Sequence, residues 1–193
     1  MHIAAVIGAA LLLGLATVAV NRQSALANSA TWDESIYMAL GRAALSGDAS
    51  AQFADLGVAP LPVRAIWTRS VLEPLVVAPG DAAVFAERVN RARLRAIAIV
   101  AVPLVISLLL WTVRAQGALA GVTATAVVAL SPNVIAHSSL ATTDAAFALT
   151  FILSVVALIA YARVRSWSRS IALAAALGTA LATKYSEIGR AHV

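Results

Sequence analysis

The sequence predicts an all-α, polytopic membrane protein: a transmembrane helical bundle of about five apolar spans, with one long outer loop of amphipathic helices between the first and second. Three observations predict it. Apolar residues make up 61% of the 193-residue chain and charged residues 12%, with a mean hydropathy of +0.88; a soluble domain averages about half apolar and about a quarter charged. The apolar residues gather in runs that cross most of a hydrocarbon core of about 30 Å. Arginine, proline, glycine and tryptophan stand between those runs, where a chain leaves the bilayer or reverses.

The first run, Ile3 to Val20, carries no charge and ends at Asn21-Arg22. A cleaved signal peptide competes, because Ala25-Leu26-Ala27 resembles a small-residue cleavage site. The charged leading region is missing, however, and the run is longer than usual, so an uncleaved span over 3–20 is expected. From 21 to 95 the chain changes character, with eight arginines against seven acids and with Gly57, Gly80, Pro60, Pro62, Pro74 and Pro79 as breakers. Inside this outer loop, Thr31 to about Ser46 reads as an amphipathic helix carrying Ile36, Leu40 and Ala44 on one stripe, suited to lie on the membrane surface. A second helix is expected from Asp81, running through Phe85 and Val89 toward the next span, with Arg88, Arg91, Arg93 and Arg95 snorkelling to phosphates.

The second span covers 96–113 and closes on Trp111 and Arg114; the turn to Gly117 then forces an antiparallel third span over 118–131. Ser131-Pro132-Asn133 breaks that helix, and a polar run through His137-Ser138-Ser139 and Thr142-Thr143-Asp144 leads into a fourth span over 145–161. Arg163, Arg165, Trp167 and Arg169 separate it from a fifth over 171–183, before Thr183-Lys184-Tyr185. The short-loop arginines put Arg114 and the Arg163–Arg169 cluster on the side of the amino terminus, leaving the long loop, Asp144 and Lys184 on the outer face. Residues 1–186 are read as the amino-terminal part of one membrane domain. Glu187 to Val193 neither continue nor cap a helix and can be encoded by read-through into a common sequencing adapter, so 187–193 is expected to be a non-native tail.

Several classes of function are excluded. There is no cysteine, hence no disulfide, thiolate metal site or Cys nucleophile. The net charge of +5 rests on scattered arginines without an aromatic-interleaved basic patch, which argues against nucleic acid and for membrane lipid headgroups as partners. Dinucleotide, Walker, GxSxG, HExxH and EF-hand patterns are all missing.

Asp33 and Glu34 are adjacent acids just after the first span, where a carboxylate can take a proton from an acceptor hydroxyl. Thr31-Trp32-Asp33-Glu34 is equally a capping box; the two readings are compatible, because a helix start fixes the direction of a carboxylate and favours its charge. Asp144 is the only acid between Glu87 and Glu187, a functional candidate by position, with a helix cap as its plain alternative. His137 is a candidate proton carrier or ligand that lacks an i+4 partner, and Lys184 stands where a point cation can hold a phosphate.

A first span, then Asp33, Glu34 and Tyr37 as Asp-Glu-x-x-Tyr in an outer loop, then Ser131-Pro132 with His137 and Ala141-Thr142-Thr143-Asp144, then Thr183-Lys184-Tyr185: this order resembles the GT-C glycosyltransferases. It is closest to the protein mannosyltransferase and aminoarabinose transferase branch, whose bacterial members use a phospholipid carrier. The resemblance implies a GT-C-like bundle and a polyprenyl-phosphate-linked sugar donor. It also implies inverting transfer to a lipid, glycan or protein hydroxyl on the periplasmic or extracellular side of a bacterial cytoplasmic membrane. It implies Asp33 as base, with Glu34 and Asp144 beside it, and Tyr37, Arg88, His137 and Lys184 on the substrate side. The sequence lacks a His-Pro-Pro signature in the first loop, where Pro60-Leu61-Pro62 stands, and ends after fewer spans than the family has, so the fragment alone is expected to be inactive. No cofactor is fixed; a divalent ion is left open, since nothing defines a coordination set. A transporter or flippase subunit, which needs inverted repeats and mid-span polar groups, is the alternative, followed by a structural membrane subunit.

Overall fold

In the computed structural model, which describes residues 3–47, 49–56, 58–72 and 81–184, all described regular structure is helical. The first helix, α1 (Ile3–Ala27), does not stop at Asn21-Arg22. Asn21 continues it because its polar atoms are satisfied inside the protein. Its amide donates to the Thr17 carbonyl at 2.8 Å, and its side-chain oxygen accepts from the Ser138 hydroxyl at 2.7 Å. The segment between the first two long helices therefore begins after Ala27, not at residue 21.

That segment folds as a packed cap. Helix α2 (Trp32–Ser46) starts at Thr31 and ends at Gly47, whose φ of 85° terminates it in the left-handed region. It is followed by α3 (Ala49–Asp55) and by α4 (Pro60–Val63), which passes through a widened π turn, Arg64–Thr68, into α5 (Arg69–Leu72). The apolar stripe of α2 was expected on a membrane surface; instead Tyr37, Met38 and Leu40 are buried with Phe53, Val63, Ile66 and Trp67. Protein offers α2 a drier partner than a headgroup layer does. Trp67 is fully buried, and its indole N–H donates to the Ala141 carbonyl at 2.9 Å, tying the cap to the polar run that holds Thr142-Thr143-Asp144. Gly41 permits this contact, because a Cβ there would lie 2.8 Å from the Trp67 Cβ.

Helix α6 (Asp81–Ala96) runs through a π turn, Ile97–Ala101, directly into α7 (Val102–Gln116). The expected outer helix and second span are thus one rod. The widened turn falls just before Pro103, whose ring clashes with an α-helical carbonyl four residues back; opening the helix there relieves the clash without breaking it. At Gly117, again at φ 85°, the chain reverses into α8 (Ala118–Ala129). Gly121 lets the two helices touch: a Cβ would sit 2.5 Å from the Val113 nitrogen. The Thr112 and Thr125 hydroxyls meet at 3.1 Å in the same contact.

Ser131-Pro132 bends the chain by 64° into α9 (Pro132–Ser138), a short helix where the sequence suggested only a polar run. The Ser131 hydroxyl caps it, accepting from the Val134 amide. Helices α10 (Asp144–Arg163) and α11 (Trp167–Thr183) form an antiparallel hairpin. Among the described residues, three helices are long and apolar enough to cross a membrane, 4–27, 82–116 and 144–163, and the bent α8–α9 pair adds a fourth if it counts as one span. Helix α11, at 17 residues, covers only about 25 Å. Large apolar side chains on α1 face outward, Leu12 being 70% exposed, as a lipid contact requires. The expectation for 187–193 falls outside the described residues.

Candidate active site

Three sequence candidates come together where α9, α10 and α11 meet. Asp144 opens α10. The hairpin brings Lys184, just past the end of α11, back to it: the ammonium lies 3.1 Å from Asp144 Oδ1. His137 on α9 places Nδ1 3.5 Å from Oδ2. Thr143 stands at the N-cap position of α10 without a side-chain cap bond, and Asp144 lies in its first turn.

Tyr37 joins this group from α2. Its hydroxyl is pushed above the ordinary tyrosine range, first by burial and then by the negative charges of Asp33 and Asp144, while a hydrogen bond with the Thr143 hydroxyl and the Lys184 charge oppose the shift. Both acids and the lysine thus act on one phenol. Asp33 is exposed in the first turn of α2.

Beside the Asp144 group lies a cavity of about 430 Å³ with largely apolar walls, Leu104, Val134, Ala145 and Ala148, and a polar end formed by Asn133, His137 and Asp144. Such a cavity suits a ligand with a charged head and an apolar body. Among the described residues, no three His, Asp or Glu side chains converge as a metal site.

Two candidates lie elsewhere. Glu34, expected among the reacting acids, is sealed from solvent at 0% exposure, and both carboxylate oxygens are engaged. Arg93 donates to both, Nε to Oε1 at 2.8 Å and Nη2 to Oε2 at 2.7 Å. The Ala141 amide adds a bond to Oε1 at 3.0 Å, and the Thr31 amide one to Oε2 at 2.9 Å, the expected capping-box contact. Burial raises the Glu34 pKa, but the Arg93 hydrogen bonds, the two amides and the Arg93 charge outweigh it and hold the carboxyl below its usual range. Arg88, expected to gather carrier lipid, instead donates to the carbonyls of Ser70 and Val71 at the end of α5. Helix ends leave such carbonyls without partners.

Arg93 is the residue that sequence reasoning misplaced. It was expected to snorkel, yet it is 1% exposed, and its remaining N–H groups donate to the carbonyls of Ala25, Asn28 and Ser29. It therefore closes the end of α1, clamps the start of α2 and, through Glu34, holds Ala141. A signal was present: Arg93 falls at helical spacing with Val89, Ala96 and Val100, all buried, so it lies on the apolar face of its helix.

No curated protein and no solved structure matches this chain. The family model for dolichyl-phosphate-mannose-protein mannosyltransferases matches residues 80–188, a stretch that includes Arg93, His137, Asp144 and Lys184 and leaves out Asp33, Glu34 and Tyr37. Because that match covers more than half of an integral membrane chain, the protein belongs to the dolichyl-phosphate-mannose-protein mannosyltransferase family of glycosyltransferases.

Proposed function

We propose that the protein transfers a sugar from a polyprenyl-phosphate-linked donor to an acceptor hydroxyl at the outer face of a bacterial cytoplasmic membrane, with Asp33 as general base. The observation that carries this reading is that Asp144 and His137 line the polar end of an apolar cavity and that Asp144 is paired with the Lys184 ammonium. A lipid-linked phosphate needs both a cation for its head and an apolar wall for its chain.

In the proposed step, Asp33 accepts the proton of the acceptor hydroxyl as its oxygen attacks the anomeric carbon. The bond from that carbon to the phosphate oxygen breaks on the opposite face, and its electron pair leaves with the phosphate. Lys184 stabilises the charge that develops there. Asp144 keeps the lysine aimed while the site is empty, and His137 borders the same space. Tyr37, neutral and buried, fixes the polar end beside both acids. Glu34 serves as a positioning residue, since its carboxylate has no oxygen left for substrate. Asp33, one residue earlier, inherits its placement from that anchored turn.

The test is transfer from polyprenyl-phosphate-linked radiolabelled mannose in membranes from cells expressing the gene. Asp33→Asn is expected to reduce transfer by about 10²- to 10⁴-fold, the range of general-base contributions, with unchanged membrane content of the protein. Transfer at the wild-type rate in that variant overturns the assignment.

A further inference from the structure

At the far end of α10 from Asp144, the turn into α11 gathers three arginines, Arg163, Arg165 and Arg169, with no acid among them. Arg169 is spent on structure: its Nη1 donates to the carbonyls of Ala160 at 2.8 Å and Val164 at 3.3 Å, closing the turn. Arg163 and Arg165 are exposed and have no hydrogen bond or ion pair among the described residues. Beside them is a cavity of about 230 Å³ lined by Tyr161, Arg165, Ser166, Trp167 and Ser170. Its lining offers the Arg165 guanidinium, the Ser166 hydroxyl, a phenol and an indole, groups able to donate to phosphate oxygens, while the Ser170 hydroxyl already donates to the Ser166 carbonyl at 3.1 Å.

Position decides the ligand. Helix α10 is 20 residues long, about 30 Å, one hydrocarbon thickness, so the cavity lies at the headgroup level of the leaflet opposite Asp144. Trp167 is 87% exposed, as an interfacial anchor is. One turn deeper on the two helices, Leu158 and Ile171 point outward and offer apolar surface to an acyl chain. A soluble anion uses the arginines alone; a phospholipid uses the arginines, the indole and the apolar flank together.

We propose that this cavity binds the headgroup phosphate of an anionic phospholipid, at a site separate from the sugar-transfer site and on the opposite membrane face. Bound there, the lipid bridges the last turn of α10 and the first turn of α11, and so braces the hairpin whose other end carries the Asp144–Lys184 pair.

The test is native mass spectrometry of the 193-residue chain released from vesicles of equal parts phosphatidylcholine and phosphatidylglycerol. Preferential retention of phosphatidylglycerol is expected, falling by about tenfold in the Arg163→Gln, Arg165→Gln double variant, the size of effect that lost charge-assisted hydrogen bonds produce. Arg114→Gln, which removes another span-end arginine, is expected to leave it unchanged. Both changed side chains in the double variant are exposed, so the fold is retained; retention of a native thermal transition checks this, and Arg165→Lys is expected to restore part of the binding. Equal retention of the two lipids, or an undiminished preference in the double variant, overturns the proposal. Displacement by millimolar glycerol phosphate also overturns it, by assigning the cavity to a soluble phosphate.

Discussion

Glu34 and Arg93, 59 residues apart, are joined by two parallel hydrogen bonds of 2.7 and 2.8 Å in a pocket of the fold that solvent does not reach. Removing one partner of a buried pair strands the other charge, at a cost of about 3–5 kcal/mol. Arg93→Met is therefore expected to lower the thermal stability of the detergent-solubilised protein by an amount in that range. Glu34→Gln combined with Arg93→Met is expected to be less damaging than the sum of the single changes, because neither charge is then left alone. Additive losses in a double-mutant cycle sink this account.

Acid stability follows from the same pair. The Glu34 carboxyl is held below the usual glutamate range, so the folded state releases its proton more readily than the unfolded chain. The pair's contribution is complete above the unfolded glutamate pKa and is lost as pH falls through the lower, folded value. Melting temperature measured against pH is expected to drop more steeply on the acid side in the wild-type protein than in Glu34→Gln.

Tyr37 carries the opposite sign. Its hydroxyl is raised above the ordinary tyrosine value, so its contribution is present below the unfolded pKa and is lost as pH climbs through the folded one. Tyr37→Phe is expected to flatten the alkaline limb of the same curve while leaving the acid limb as it is. An unchanged alkaline limb contradicts the assignment.

Lys184 and Asp144 are half in water, their side chains 29% and 42% exposed, and exposed pairs are worth about 0–1 kcal/mol. Lys184→Ala is expected to leave the melting temperature almost unchanged while reducing kcat for sugar transfer more than it raises KM. A large fall in stability with normal turnover makes the lysine a structural residue.

Gly121 and Gly178 offer a paired test of packing. A methyl group at Gly121 meets the α7 backbone, which cannot rotate away, whereas nothing lies within 4 Å of a Cβ at Gly178. Gly121→Ala is expected to cost about 1–3 kcal/mol. Gly178→Ala is expected to be neutral or to gain as much as about 1 kcal/mol from helix propensity. Equal melting temperatures for the two variants contradict the close α7–α8 contact.

The helices were legible because lipid solvation and helical period act within a few neighbouring residues: the apolar runs, the Thr31 start of α2, the Gly117 turn and the Ser131-Pro132 break all read directly. Misreadings arose where a distant residue supplied what the local chain lacked. Asn21 looked like a helix end because its partner, Ser138, is more than a hundred positions away. Arg93 looked like a snorkelling arginine because nothing nearby in the chain announces Glu34. In the candidate site, residue types and order pointed to Asp144, His137 and Lys184, which do meet. They did not distinguish Asp33, which faces outward, from Glu34, which is locked inside; that difference depends on the direction in which a helix turn presents each side chain.

The Glu34–Arg93 lock also sets an order of assembly. When α1 and α2 leave the ribosome, the carbonyls of Ala25, Asn28 and Ser29 and the Glu34 carboxylate have no cation to receive them. These groups stay hydrated until Arg93 is synthesised at the mouth of the second span. The cap therefore cannot close before Arg93 has been made, and a nascent chain halted short of that residue carries the α1–α2 junction with these groups still open to water.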